Sequence, residues 1–275
     1  LVCDRYDSVA VVQFDGRGPS EFWDKTRIAE WILQHAGVKS VVEKSRRNSE
    51  GGLTLLAGAA APNEISVQEN GVAFVVDILN GQKTGFFLDQ RNNRQYIRTV
   101  SRGKSVLNLF SYTGGFSVYA GLGGASKVAS LDVAEGAVRS AENNWQLNGL
   151  SAANHQGLAV DVFDYLNGEN EKWDHVIVDP PSMGHSEDQK ERAVTKYTEL
   201  FAASAKLVLP GGQLSLSSCS SHVSFEDFFE IIREALSQAR RRGQILRVSG
   251  QGPDHPFLHG SHEQRYLKFV HLVLV

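Results

Sequence analysis

At 275 residues, with 41% hydrophobic side chains and a net charge of −3, the chain suffices for one large or two modest folded domains and is too evenly charged to attract nucleic acid as a whole. No apolar run has the length of a bilayer span, and the opening LVCDRYDS has neither the basic start nor the apolar stretch of a signal peptide. Two cysteines far apart in sequence, Cys3 and Cys219, read as reduced thiols of a cytoplasmic protein.

In chain order, LVCDRYDS reads as the end of a strand and Val9–Phe14 as another. Glu21–His35 has helical periodicity, with Trp23, Ile28, Trp31 and Ile32 on its apolar positions, and Ser40–Glu43 is a strand. Ile65–Gln68 and Val72–Leu79 flank Asn70-Gly71, the short-range signal of a hairpin. The segment GQKTGFFLDQRNN (Gly81–Asn93) then leads into a helix towards Val100. From Lys104 the alternation is regular. Strands fall at Val106–Phe110, Val128–Val133, Asn154–Val160, His175–Asp179, Gln213–Ser217, Ile245–Val248 and Tyr266–Val275. Helices fall at Phe116–Leu122, Ala134–Asn148, Glu187–Leu207 and Phe225–Arg241, and Pro210-Gly211-Gly212 turns the third of these into a strand. The pattern predicts a small α+β domain over residues 1–92 and an α/β domain over 93–275. Three basic runs (Lys44, Arg46 and Arg47; Arg91, Arg94, Arg98, Arg102 and Lys104; Arg240 to Arg242) read as solvated faces first and as RNA contacts second.

The most informative stretch is SVLNLFSYTGGFSVYA (Ser105–Ala120) with the acid that follows it. A buried strand breaks at Tyr112-Thr113-Gly114-Gly115 into a helix, and the next apolar run ends on Asp132. Strand, glycine turn, helix, strand and terminal acid form a half-unit that binds an adenosine-type cofactor: glycines let backbone N–H groups approach the ligand, and the acid takes ribose hydroxyls. The turn alone is a weak signal, since it is not G-x-G-x-x-G. Asp161 repeats the placement after Leu158-Ala159-Val160, and reads equally as a helix N-cap.

Asp179-Pro180-Pro181-Ser182 is a sharper motif, directly after an apolar strand. The prolines fix the backbone and hold the carboxylate towards the site. Enzymes that methylate exocyclic amines carry an aromatic after such prolines to stack on a flipped base, and Ser182 argues against those targets. Cys219 lies in SSCSSH at the exit of the strand expected beside the one ending in Asp179. C5 of a pyrimidine is a poor nucleophile until a thiolate adds to C6, so methylation there calls for a cysteine. Taken by itself Cys219 is balanced between catalysis and packing. His255, His259 and His262 are interrupted by Pro256 and do not share a helix face, so no metal is expected, and His222 reads as a surface or capping residue.

Assembled, these residues resemble the bacterial 23S ribosomal RNA cytosine-C5 methyltransferases of the large-subunit methyltransferase I type. The likeness is carried by Asp4-Arg5-Tyr6, GQKTGFFLDQRNNR (Gly81–Arg94), LFSYTGGFSVYA (Leu109–Ala120), DPPS, SSCS, Asp254-His255-Pro256 and Arg265-Tyr266-Leu267-Lys268. It implies an α/β fold: a class I, Rossmann-like methyltransferase domain with a seven-stranded sheet, closed by a hairpin-like last pair and preceded by a small α+β domain. The chain begins where the family's N-terminal PUA domain would end. The resemblance implies S-adenosylmethionine (AdoMet) as cofactor, with Phe110, Ser111, Tyr112, Thr113, Gly114 and Gly115 at its methionine side. Asp132 and Val133 would meet the ribose, and Asp161 and Val162 the adenine; Gln90, Arg91 and Asp179 would lie near the methionine end. Cys219 matches the nucleophile and Asp179 the acid on the cytosine ring, with Pro180, Pro181 and Ser182 along the substrate. Met183 stands where the family has an aromatic, and LHGSHEQ before Arg265 also departs from it. The implied partner is ribosomal RNA, free or in an assembly intermediate, with no membrane, and a homodimer is compatible. A methyltransferase acting on guanine N7 or on a small molecule, and a non-catalytic RNA-binding relic of the fold, are the competing readings.

Overall fold

The computed structural model describes residues 1–14, 16–45, 52–168, 171–184, 186–261 and 264–275. They pack into two units, Leu1–Phe87 and Leu88–Val275.

In the first unit, strands β1 (Val2–Tyr6), β2 (Val9–Gln13), β3 (Ser40–Lys44) and β4 (Leu53–Gly58) form a sheet in that order. Helices α1 (Arg17–Phe22) and α2 (Lys25–His35) connect β2 to its parallel neighbour β3. Ala29 and Ile32 of α2 bury against Ala10, Val12 and Val41. The single helix expected over Glu21–His35 is therefore two. Asp24 restarts it by accepting the Arg27 N–H at 3.1 Å, so the cap outweighs the continuous periodicity. Strands β5 (Glu64–Glu69) and β6 (Val72–Asp77) pair across Asn70 and Gly71, both at positive φ, the turn that the Asn-Gly pair predicts. Lys44 donates to the Gly81 carbonyl instead of standing on a solvated face, and Arg46 and Arg47 lie outside the described residues.

The second unit starts with a short turn, Leu88–Gln90, and α3 (Arg91–Val100). Gln90 and Asn93 hydrogen-bond into this unit, to Asp179 and Gly250, which is why the division falls ahead of the expected 92/93. Next come β7 (Ser105–Leu109), α4 (Gly115–Leu122), β8 (Lys127–Asp132), α5 (Glu135–Leu147), β9 (His155–Ala159), α6 (Val162–Leu166) and β10 (Trp173–Val178). They are followed by α7 (Lys190–Lys206), β11 (Val208–Ser218), α8 (Phe225–Gln238), β12 (Gly243–Ser249) and β13 (Lys268–Leu274). The sheet order is β12-β13-β11-β10-β7-β8-β9, and β13 runs antiparallel to both of its neighbours. The closing pair is thus hairpin-like in pairing, but β13 slots between β11 and β12. Pro210-Gly211-Gly212 is not a turn ahead of β11 but a bulge inside it: Trp173 faces Val208, and His175 already faces Gln213.

Successive side chains of a strand face opposite ways, and the core follows that alternation. Val106 and Ile177 bury with Ile97, Phe116 and Trp145 beneath α3, α4 and α5. Leu107, Leu109, Val176 and Val178 bury with Tyr197, Phe201 and Phe228 beneath α7 and α8. Within the sheet, Ser215 bridges two buried histidines, 2.9 Å from His175 Nε2 and 2.8 Å from His271 Nδ1. Arg102, Arg240 and Arg242 are exposed, but one member of each of their runs is held inside. Arg94 is 2% exposed, and Arg241 donates to the Val208 and Leu209 carbonyls at 2.8 and 3.2 Å.

Candidate active site

The parallel strands β7, β8, β10 and β11 end on one edge of the sheet, and the strand order reverses between β7 and β10. In open α/β sheets ligands bind in the crevice at that switch. Most residues singled out in sequence lie on the loops leaving these ends, while Asp161 and Val162 follow β9 and Gln90 and Arg91 precede β7.

The loop after β7 is conformationally unusual. Phe110, Tyr112 and Gly114 have φ of 58°, 48° and 78°. Left-handed backbone is costly for the two aromatic residues and persists only where neighbours impose it. Here the Ser111 N–H donates to the Leu131 carbonyl at 2.9 Å and the Tyr112 N–H to Asp132 Oδ2 at 2.9 Å. Gly114 is required for a second reason: a Cβ there would sit 2.7 Å from Cβ of Ala141 on α5. The Asp132 carboxylate is also held by the Ala134 N–H, 3.0 Å from Oδ1. Two amides thus orient it, and each oxygen keeps lone-pair capacity for a ligand hydroxyl. Ser111 Oγ and Thr113 Oγ1 are buried in the same loop with no hydrogen-bond partner among the described residues. Buried hydroxyls are normally satisfied, so a polar ligand at this loop fits the residues present.

Further along the edge, Val133 is 70% exposed beside Asp132, whereas Val162 is buried in the core. Asp161 caps α6, its Oδ1 accepting the N–H of Phe163 at 2.7 Å and of Asp164 at 3.2 Å. Phe163, which the sequence reading passed over, is 41% exposed and sits edge-on to Phe110 with ring centroids 6.4 Å apart. An aromatic two residues after a capping acid is the signal that could have found it.

At the ends of β10 and β11 the structure joins the two sharper motifs. Gln90 Nε2 donates to Asp179 Oδ1 at 2.8 Å and reaches Ser217 Oγ at 3.3 Å. Gln90 is itself fixed by Asn93, whose Nδ2 lies 2.6 Å from its Oε1, and Ser249 donates to Asn93 Oδ1 at 2.7 Å. Ser182 Oγ donates to the Gly184 carbonyl at 2.9 Å and lies 3.0 Å from Ser220 Oγ. Ser220 Oγ is also 2.9 Å from the hydroxyl of Tyr197 on α7. Ser217, Ser218 and Ser220 are fully buried, while Cys219 between them is half-buried. The serines clamp the turn, and the cysteine is the member that reaches the surface. Pro180 is buried and Pro181 exposed. Arg91 is turned to a different loop, in an ion pair with Asp254 at 2.9 Å. Ser224, not His222, caps α8, in a capping box with Asp227. His255 Nδ1 lies 3.3 Å from Asp254 Oδ1, and His262 lies outside the described residues.

A sheet of this order, with an antiparallel strand inserted beside its fifth member, a strained glycine loop after the first strand and an acid ending the second, defines a class I AdoMet-dependent methyltransferase. The family model for S-adenosylmethionine-dependent methyltransferases matches residues 24–247. A ribosomal RNA large subunit methyltransferase of Deinococcus radiodurans is 39% identical, over 99% of this chain and 68% of its own length. Ribosomal RNA large subunit methyltransferase I of Aeromonas salmonicida is 40% identical over 78% of this chain and 55% of its own length. The crystal structure of SMU.776, described as a methyltransferase and complexed with SAH, superposes with a TM-score of 0.86 at 26% identity, over 98% of this chain and 70% of that one. The chain belongs to the S-adenosylmethionine-dependent methyltransferase family, within the group of ribosomal RNA large subunit methyltransferases. AdoMet is the cofactor of that family.

Proposed function

We propose that the chain forms 5-methylcytosine in 23S ribosomal RNA, with Cys219 as nucleophile and Asp179 as the group that holds the base. The observation that carries this reading is the double tie between the DPPS loop and the cysteine turn, through Gln90 and through Ser182 and Ser220, which holds an acid and a half-buried thiol at neighbouring strand ends.

When bound, AdoMet supplies an electrophilic methyl group on its sulfonium. Asp132 takes the ribose hydroxyls, the loop Phe110 to Gly115 takes the methionine end, and Val133 and Phe163 offer apolar surface to the adenine beside Asp161. Asp179 holds the N3 side of the cytosine along Pro181 and Ser182. The Cys219 thiolate adds to C6, and the C5=C6 electron pair becomes available at C5. C5 would take the methyl group as the S–CH3 bond breaks, the bond's electron pair staying on sulfur in the departing S-adenosylhomocysteine. The C5 proton then leaves to a base, its electron pair restores C5=C6, and the C6–S bond breaks to release the thiolate. A ribosomal RNA substrate supports a cytoplasmic location; among the described residues no helix is long and apolar enough to cross a membrane.

The decisive experiment is Cys219→Ala. It should abolish methylation of 23S RNA while AdoMet affinity, by calorimetry, stays near wild type. RNA carrying 5-fluorocytosine should trap a covalent adduct with the unmodified enzyme, because fluorine cannot leave as a proton does. Methylation by Cys219→Ala at the wild-type rate would overturn the covalent mechanism and favour guanine N7.

A further inference from the structure

Lys268 opens β13, and its Cα pairs in register with that of Ser218, the residue before Cys219. Its side chain is among the largest fully buried ones, with a residue exposure of 1%. Nζ donates to the carbonyl of Ser220, the residue after Cys219, at 2.6 Å and to the carbonyl of Tyr266 at 2.7 Å. The lysine therefore grips the cysteine turn by pairing before the thiol and by a hydrogen bond after it. Carbonyl oxygens carry only partial charge, and a buried ammonium is costly unless an anion accompanies it. The carboxylate that acts on it, Asp227, is already ion-paired to Lys190 at 2.8 Å.

We propose that Lys268 is the positioning residue of the nucleophile: its buried ammonium fixes the Cys219 turn through the Ser220 carbonyl and stabilises the Cys219 sulfur as thiolate. The inference rests on the reading of Cys219 as nucleophile and supplies what activates it. The thiol proton passes to solvent, and the ammonium keeps its own. Tyr197 from α7, whose phenol burial pushes up and so keeps neutral, and Asp227 from α8 act on the pair. Neither offers positive charge to the sulfur. Burial draws Lys268 down to about 8, while Cys219 and Asp227 pull the other way, so the ammonium is charged at neutral pH.

The test uses the full chain carrying Cys3→Ser, which leaves Cys219 as its single thiol, and follows alkylation by iodoacetamide against pH. With Lys268 present, the midpoint should fall below the ordinary thiol value of about 8.5. In Lys268→Met it should rise by about one pH unit or more, the effect of removing one nearby opposite charge, and Lys268→Arg should keep it low. AdoMet affinity reports that each variant is folded. An unchanged midpoint in folded Lys268→Met overturns the proposal. If that variant does not fold, the parent profile decides: a midpoint at or above the ordinary thiol value overturns it. Should Cys219→Ala methylate RNA normally while the alkylation shift is seen, the nucleophile reading fails and the coupling of Lys268 to Cys219 stands.

Discussion

Ser182 Oγ and Ser220 Oγ lie 3.0 Å apart, a hydroxyl contact that ties the proline loop after β10 to the cysteine turn after β11. Ser182 stands where amine-methylating enzymes place a stacking aromatic; in the proposed site it would set the distance between acid and thiol. Ser182→Ala should change stability by no more than about 1 kcal/mol, the net worth of one hydrogen bond. It should lower kcat by about 10- to 100-fold, the scale of a small misplacement of reacting groups. AdoMet affinity should not change. Steady-state kinetics with 23S RNA and urea unfolding check both; an unaltered kcat would show that the contact does not position the site.

Asp132 is held by two backbone amides and, in the proposed site, meets the ribose. Asp132→Ala should weaken AdoMet binding by roughly 10-fold or more, since a charge-assisted hydrogen bond contributes about 1.5–3 kcal/mol. Gly114→Ala should do the same by another route, through the left-handed φ of 78° and the close approach to Ala141. Calorimetry with AdoMet and with S-adenosylhomocysteine measures both. Wild-type affinity in either variant would count against the cofactor placement.

Gln90 is expected near the methionine end of the cofactor, and its amide is shared between Asp179 and Ser217. Gln90→Leu removes a buried donor from a buried network and should cost on the order of 2 kcal/mol of stability. Gln90→Glu, which sets a second carboxylate against Asp179, should lower kcat more than AdoMet affinity. If Gln90→Glu instead weakened AdoMet and left kcat intact, Gln90 would be a cofactor ligand.

The buried imidazoles set an acid limit to stability. Burial holds His155 and His271 at about 4, and His175 well below its ordinary value. Their unfolded forms take a proton near pH 6.5 and their folded forms do not. The unfolded state therefore binds more protons between those values, and stability must fall as pH drops from about 6.5 towards 4. By about pH 5 His155 and His271 each withdraw on the order of 2 kcal/mol, and His175 acts in the same direction. Urea unfolding from pH 7.5 to 5 should show the decline, and His271→Asn should flatten it; a level profile would exclude the effect.

Much of the second unit was legible because strands buried on both faces read as plain apolar runs: VLNLF, KVASL and HVIVD announce themselves without tertiary information. The same signal failed for β4, whose LTLLAG mixes exposed and half-buried positions. It failed again at Asp24, where one cap splits a helix that periodicity continues. The acids and the glycine loop could be found because each follows a strand end. Gln90 was named from the resemblance alone, and the contacts of Gln90, Ser220 and Lys268 could not be read, since they depend on which strands become neighbours and in what register.

That register also governs the order in which the molecule can be made. Strand β13 fills the slot between β11 and β12, and it carries Lys268. Until residues 268–274 have left the ribosome, β11 shows a bare hydrogen-bonding edge and β12 has nothing to join. A nascent chain in that state is open to pairing with other strands and to capture by chaperones. Because Lys268 arrives with the strand that closes the sheet, the Cys219 turn gains its lysine only as the sheet is completed, and the priming proposed for the thiol would be absent from a half-built sheet.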